Sequence, residues 1–520
     1  MKTAQKILLN IYRDSVALMQ ISSKLSDLLG VSQASAIMAT KANIELLLET
    51  GLLDQLIDPQ PNNLLIAIQG ENEGVIDAAF IQAEAALNKV ISGNAGGGET
   101  VLQPSSIEMA LDKFPEANLA LISCPGEYAG AEAMKALHLG LDVMIFSDNV
   151  SVEDELALKQ LAQTTGKLVM GPDCGTAILQ GVPIGFANVV TTGNIGIVAA
   201  SGTGLQQVSC LVDQLGGGIS QAIGTGGRDL TFKIGGLSML QGIEILAKDE
   251  ATKVITLISK PPAPEVAQKI LAEAASCGKP VVVNFIGSET IFSRDSVYMA
   301  DTLEQTAHIA IALSKGDALS MEPLPRHTHG HSEIQEICRA FSISQKYVRG
   351  LYSGGTFSYE AMVLLNKEIG PVNSSSPLNA CDRLNDIWTS TNNTIIDLGD
   401  DLFTRGRPHP MIDHRLRNNR IIQEAKDPET AVILLDIVIG YGSHDDPAGE
   451  IAGSIQAAKE AASKIGNAPV FVTFMCGTKR DPQHLFTQKK KLRKVGAIVV
   501  ESNAQAVRLT SDILSGIGGK

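Results

Sequence analysis

Aromatic residues are scarce in this chain. They make up 4% of it, with one Trp, so its interiors are not built on large rings. Ala, Val, Ile and Leu remain as core material, and they suit parallel sheets covered by helices. The seven cysteines are scattered, odd in number and without a C-x-x-C pair, which fits reduced thiols in a cytosol better than a disulfide framework. No apolar run approaches a membrane span, and the one near the N-terminus is too short for a signal peptide. The chain therefore reads as cytoplasmic. Surplus positive charge is missing too: a net charge of −14 argues against a broad nucleic-acid surface but leaves room for local cationic pockets. There is no Walker-type lysine loop and no zinc-spaced cysteine pair, and no metal site is expected.

What is present is repetition. Ser201-Gly-Thr-Gly204 precedes Lys248-Asp-Glu-Ala-Thr252 and a buried apolar run; Ser353-Gly-Gly-Thr356 precedes Lys426-Asp-Pro-Glu-Thr430 and another. Self-similarity on this scale implies a duplicated domain. Each glycine-rich turn follows a strand-length apolar run and opens a helical stretch, where free N–H groups and the positive end of the helix dipole converge. Such a turn binds phosphate or carboxylate, or is only a tight turn with a Ser/Thr cap. Its recurrence favours binding.

At 520 residues the chain has room for three or four domains of about 150 residues each. Strand-length runs alternate with amphipathic helical stretches. Leu64–Gln69, Asn118–Ser123, Leu141–Ser147 and Leu168–Gly171 predict a first, parallel, doubly wound domain over 1–192, with room for a small N-terminal subdomain. Ile91–Gly98 reads as a glycine-rich surface loop. Strands at 194–200, 218–223, 254–259 and 280–286 and a helix at 302–314 predict a second domain over 193–316. Residues 317–345, with Pro323, Pro325 and a His-rich tract, read as a linker. A third domain over 346–520 has strands expected at 347–353, 394–398, 431–437, 470–475 and 498–502, a polar insert at 371–392 covering one edge, and a frayed end at 515–520.

Other segments carry candidate chemistry. In Gly224-Thr-Gly-Gly-Arg228-Asp229, Gly226 and Gly227 allow close backbone approach and Arg228 offers a planar fork to an oxyanion, unless Arg228 and Asp229 form a surface turn. The 397–413 segment sets Arg405, Arg407 and His409 among carboxylates directly after a strand. Its arginines suit a carboxylate clamp and His409 suits proton transfer, with a salt-bridged loop as the plainer reading. Cys174 in Gly171-Pro-Asp-Cys174-Gly-Thr176 reads mainly as an inert small hydrophobe. The His327-Thr-His329-Gly-His331 tract reads as linker more than metal site.

These motifs resemble a known family. Residues 118 to about 287 are similar to the α subunit of succinyl-CoA synthetase. Gly171-Pro-Asp-Cys174-Gly is similar to its "GPNCPG", Gly196-Ile-Val-Ala-Ala-Ser201-Gly-Thr203 to its "GIVSRSGT", and Gly224–Asp229 to its "GIGGD". Over nearly the whole length, including Asp14-Ser-Val-Ala-Leu-Met19, Phe146-Ser-Asp-Asn149 and the 397–413 segment, the chain resembles the FdrA group of acyl-CoA synthetase-like proteins. The resemblance implies an α/β fold: an N-terminal Rossmann-like CoA-binding-type domain followed by two flavodoxin-like succinyl-CoA-synthetase-type domains. It also implies a CoA- or nucleotide-type region around Gly126, Ser147, Pro172, Asp173 and Cys174.

The departures narrow the expected chemistry. The synthetases carry a phosphorylated histidine in a "GHAGA" segment, where this chain reads Gly287-Ser-Glu-Thr-Ile-Phe-Ser-Arg-Asp295. Lys260 stands where the family has a glutamate that orients that histidine. No ATP-grasp domain and no "GFTG" turn are evident. The expectation is an acyl-phosphate site without a phosphohistidine relay. Ser201, Gly202, Thr203, Gly204, Gly226, Gly227, Arg228, Ser353, Gly354, Gly355 and Thr356 would hold the phosphate, with Lys260, Arg407 and His409 as catalytic groups. No cofactor is certain. CoA and carbamoyl phosphate are the candidate substrates, because the FdrA group has been linked to carbamoyl transfer to oxamate. Partner subunits of a multisubunit enzyme and an oligomer are expected, with no nucleic acid and no membrane.

Overall fold

The computed structural model describes residues 1–55, 57, 59–92, 104–288, 296–319, 324–405 and 407–518. They form two compact units, Met1–Ser151 with Asp401–Asp413, and Val152–Asp400 with His414–Lys520.

The first unit begins with a three-stranded sheet whose middle strand, Leu64–Gly70, pairs antiparallel with Lys2–Leu8 on one side and Val31–Met38 on the other. Alternation divides the middle strand between two cores. Leu64, Ile66 and Ile68 pack with Leu18, Ile21 and Leu25 of one helix and Ile76, Ala79 and Ala83 of another. Leu65 and Ala67 face Ile44 and Leu47 of a third helix on the opposite side. The Leu64 strand was expected in a parallel sheet, and this is a correction. Its partners, KTAQKIL and VSQASAIM, are too polar and too Ala/Ser-rich to read as strands, so the antiparallel context was hidden. Further on, Leu119–Ile122 and Asp142–Ile145 pair in parallel across the Gly126–His138 helix, as expected.

The second unit holds two parallel sheets of the same design. In one the order is Val297–Met299, Val281–Phe285, Val254–Ser259, Thr192–Ala199, Ile219–Gly224, extended by an antiparallel hairpin of Thr176–Leu179 and Val182–Gly185. In the other it is Thr394–Asp397, Tyr347–Tyr352, Thr430–Val438, Val470–Cys476, Ile498–Val500. Numbered along the chain, both parallel sets run 2-1-3-4-5, the flavodoxin-like order, with a switch point beside the first strand. The turn after that first strand is Ser201-Gly-Thr-Gly204 in one sheet and Ser353-Gly-Gly-Thr356 in the other. The duplication read from sequence is thus a duplication of topology.

Some expected loops carry structure. Inside the 317–345 linker lies a helix, His331–Ala340, whose buried Cys338 reaches Ile513 O at 3.4 Å. The end of the chain continues a helix, Asn503–Gly518. The 371–392 insert bridges the edge strand through Asn373 and Thr394. Residues 93–98 of the glycine-rich loop, Pro323, Gly406, and 289–295 of the segment aligned with "GHAGA" lie outside the described residues.

Candidate functional site

The two glycine turns meet. Ser201, in extended backbone, caps the Gly202–Gln214 helix by accepting the Gly204 N–H at 2.9 Å. The Gly355–Ile369 helix starts from Gly354 without a side-chain cap. Ser201 Oγ and Thr356 Oγ1 are 2.5 Å apart and hydrogen-bonded, and a Cβ on Gly354 would stand 3.1 Å from Thr203 Cγ2. Two helix N-termini, each equivalent to about half a positive charge, therefore abut. Like ends of two dipoles repel unless an anion is placed near both.

The second turn already holds one anion, and it belongs to the protein. Asp436, on the neighbouring strand, accepts the Ser353 N–H and hydroxyl at 2.8 Å each and the Gly354 N–H at 2.9 Å. Arg417 Nη2 pairs with Asp436 at 2.7 Å and its Nε donates to Leu351 O, all of this buried. The Ser353 and Gly354 amides expected to face a ligand are thus committed to an internal carboxylate with its own counter-ion. Gly355 and Thr356 begin the part of the turn beyond that clamp.

Lys260 directly follows the Val254–Ser259 strand. Its Nζ lies 3.9 Å from the place a Cβ on Gly355 would occupy and 5.4 Å from the Tyr359 ring centroid. Asp397 ends the Thr394–Asp397 strand and comes to the same spot, its Oδ2 2.5 Å from that Cβ position, while Oδ1 accepts the Gly399 N–H at 3.0 Å. Only glycine at 355 leaves room for the carboxylate. Burial pushes Asp397 up to about 6; the Lys260 charge pulls it down, and Asp400 and Asp436 raise it. Sequence reading passed over Asp397 as one carboxylate among several, because nothing local marks it.

Beside the Ser201 turn, Asp173–Thr176, Ala199–Gly202, Gly224, Gly226 and Gly227 line a pocket of about 20 Å³. Gly226 has φ +84°, and a Cβ there would meet Pro172 O at 2.2 Å. Cys174 Sγ donates to Gly224 O at 3.4 Å, and burial pushes its thiol up to about 12, so it is packed as a small hydrophobe. Arg228 is anchored by Glu155 Oε2 at 2.9 Å. Beneath it, the fully buried Lys159 bonds Glu155 at 2.8 Å, Asp229 at 2.9 Å and Thr225 O at 3.0 Å. Asp229 also accepts the Ser238 and Met239 N–H groups. Two cations and two carboxylates balance, and they brace the glycine loop from below.

The remaining expected residues lie in the first unit, so the site just described is built without them. His409 Nδ1 accepts the Met411 N–H at 3.2 Å, and burial lowers its pKa to about 4, leaving a neutral ring at physiological pH. Arg407 sits in the same turn-rich segment. A Cβ on Gly126 would stand 2.1 Å from Asp148 O, and Ser147 Oγ donates to Cys124 O, so both serve close packing at the ends of the strand pair. In the second unit, His327 pairs with Asp512 at 2.8 Å, and no metal-binding cluster occurs among the described residues.

Two α/β sheets of one topology with abutting helix N-termini define a CoA-ligase type of protein, and comparison agrees. Family profiles described as a CoA binding domain match residues 190–287, as CoA-ligase residues 351–513, and as "AllF, heavy metal-associated domain" residues 1–104. YahF of Escherichia coli (strain K12) is 43% identical over 97% of both chains. The chain belongs to the FdrA family of acyl-CoA synthetase-like proteins, related to the α subunit of succinyl-CoA synthetase. One such subunit, succinate–CoA ligase [ADP-forming] subunit alpha 2 of Archaeoglobus fulgidus, is 28% identical over 33% of this chain and 61% of its own length. Among solved structures, the dinucleotide-forming acetyl-coenzyme A synthetase 1 of Ca. Korarchaeum cryptofilum aligns at 16% identity over 82% of this chain and 88% of that one, with a TM-score of 0.33. Residues 1–104 contain neither Cys nor His, so no thiolate or imidazole ligand is present in the segment that matches the heavy metal-associated profile.

Proposed function

We propose that this chain is a subunit of a CoA-ligase-related enzyme that binds an acyl phosphate at the two abutting helix N-termini and uses it without a phosphohistidine. The observation that carries the reading is the Ser201–Thr356 contact, which joins two positive helix ends next to Lys260. Gly202 and Thr203 of one helix, Gly355 and Thr356 of the other, and the Lys260 ammonium offer donors to a tetrahedral oxyanion. Gly226 and Gly227 keep the adjoining pocket open, and Lys159 and Arg228 hold their loop in place.

With carbamoyl phosphate as donor, the amide nitrogen of an acceptor such as oxamate attacks the carbamoyl carbon. The C–O bond to phosphate breaks, the nitrogen sheds its proton, and phosphate leaves with the bonding pair. Stabilising that departing charge is what helix ends and Lys260 do best. The carbamoyl donor is suggested by the FdrA resemblance.

The test is calorimetric titration of the full chain with carbamoyl phosphate. Lys260→Met should weaken binding at least about tenfold, as expected for losing a charge-assisted contact of about 1.5 kcal/mol or more. Equal affinity in the variant would overturn the reading. If CoA binds instead and carbamoyl phosphate does not, the chain acts as an acyl-CoA synthetase subunit. Binding of neither would indicate a scaffold subunit.

A further inference from the structure

Asp397 presents a problem that the acyl-phosphate reading leaves open. A carboxylate stands over Gly355, at the start of the helix where the incoming anion is expected. Within 4 Å of the same Cβ position stands Lys260 Nζ, so one cation faces one anion there. Among the described residues, two further carboxylates act on Asp397. Asp400 lies three residues on along its own loop, and Asp436 lies on a neighbouring strand with Arg417 as its partner. A phosphoryl dianion brought to Gly355 and Thr356 would thus meet a helix end, one ammonium and a carboxylate. Two anions side by side disfavour each other's charged form.

We infer that anion binding at this site takes up a proton at Asp397, turning a repelling carboxylate into an O–H donor toward the bound oxyanion. The inference rests on the acyl-phosphate reading and deepens it by giving the site a protonic state for each step. The proton enters with the anion, stays on Asp397 Oδ2 while the phosphoryl group is held, and returns to solvent when phosphate leaves. No bond to carbon or phosphorus is made by Asp397, which is therefore a positioning residue for the anion. Gly399 keeps its N–H on Oδ1 throughout, so Oδ2 is the atom that titrates. The carboxyl is already biased this way, since burial lifts it toward neutrality in the unliganded chain.

Sulfate is the probe of choice, because it is a tetrahedral dianion that does not itself titrate near neutral pH. Calorimetry of the full chain in buffers of differing protonation enthalpy reads the proton count directly. Wild type should take up about one proton per sulfate, and its Kd should rise about tenfold per pH unit between about pH 6 and 8. Asp397→Asn should bind sulfate with no proton uptake and a flat pH profile; Asp397→Ser serves as a second variant should the amide disturb Gly399. Uptake of the same proton by both variants, or sulfate binding without uptake in wild type, would overturn the inference while leaving the anion site standing. Absence of sulfate binding at every pH would remove the anion site and the inference together.

Discussion

Asp397 also governs stability, and the sign follows from its environment. Its folded-state pKa is raised to about 6 from an ordinary value near 4. The stabilisation it gives is therefore fully present below about pH 4 and is lost as pH rises through about 6. At pH 7.5 the ionised group costs of the order of 2 kcal/mol after allowing for its partial exposure. Asp397→Asn should accordingly raise the melting temperature at pH 7.5 and leave it nearly unchanged near pH 4; lower stability at pH 7.5 would contradict the assignment. Lys159 behaves oppositely. Lys159→Met would strand Glu155 and Asp229 in the interior, so the denaturation midpoint should fall by about 3–5 kcal/mol equivalent. An unaltered midpoint would mean the brace is not needed. Neither residue was legible as important in sequence. Lys159 meets Asp229 across 70 positions, and Asp436 meets Ser353 across 83, and no local pattern encodes such pairs.

Elements were far more legible. Apart from the three-residue edge strand Val297–Met299, which was not expected, the parallel strands of the second unit's two five-stranded sets lie within a residue or two of where apolar runs placed them, because a strand buried on both faces is a near-continuous hydrophobic segment. Glycine-rich turns announced the two helix starts for the same local reason. What escaped were short strands or strands with mixed composition: Lys2–Leu8, Val31–Met38, the 176–185 hairpin and Val297–Met299. Turn chemistry yields a sharp prediction here. Gly226→Ala would put a methyl group against the Pro172 carbonyl in left-handed backbone, whereas Gly227 has nothing within 4 Å of its Cβ position. The first substitution should destabilise by more than about 2 kcal/mol and the second by under about 0.5 kcal/mol, read by urea denaturation. Equal effects would show that the 172–174 loop yields without cost.

At the scale of the whole molecule, the second unit is two copies of one sheet design, knit by buried polar contacts. Glu360, on the Gly355–Ile369 helix, accepts the Leu303 N–H at 2.8 Å, which begins the last helix of the other sheet, and Asn503 Nδ2 at 2.8 Å. Burial pushes Glu360 up to about 7, with Glu304 raising it further and Arg508 lowering it. The stability it contributes is present below about pH 4.5 and fades as pH rises through about 7. Glu360→Gln should flatten the decline of melting temperature between about pH 6 and 8, and a decline as steep as in wild type would rule out this joint as its source. The duplication and the pairing of its two turns were visible in sequence, but not the buried contacts that join the copies. Periodicity, turn chemistry and family motifs are properties of short segments, so the sequence by itself determined the α/β class, all but the Val297–Met299 edge strand of the parallel sets in both flavodoxin-like sheets, and the two glycine-rich turns proposed, with Lys260, for anion binding. Only tertiary structure decided which of those turn N–H groups are already taken by Asp436, and that Asp397 shares Gly355 with Lys260. Those outcomes depend on side chains from distant strands converging at one switch point, where burial sets their charge.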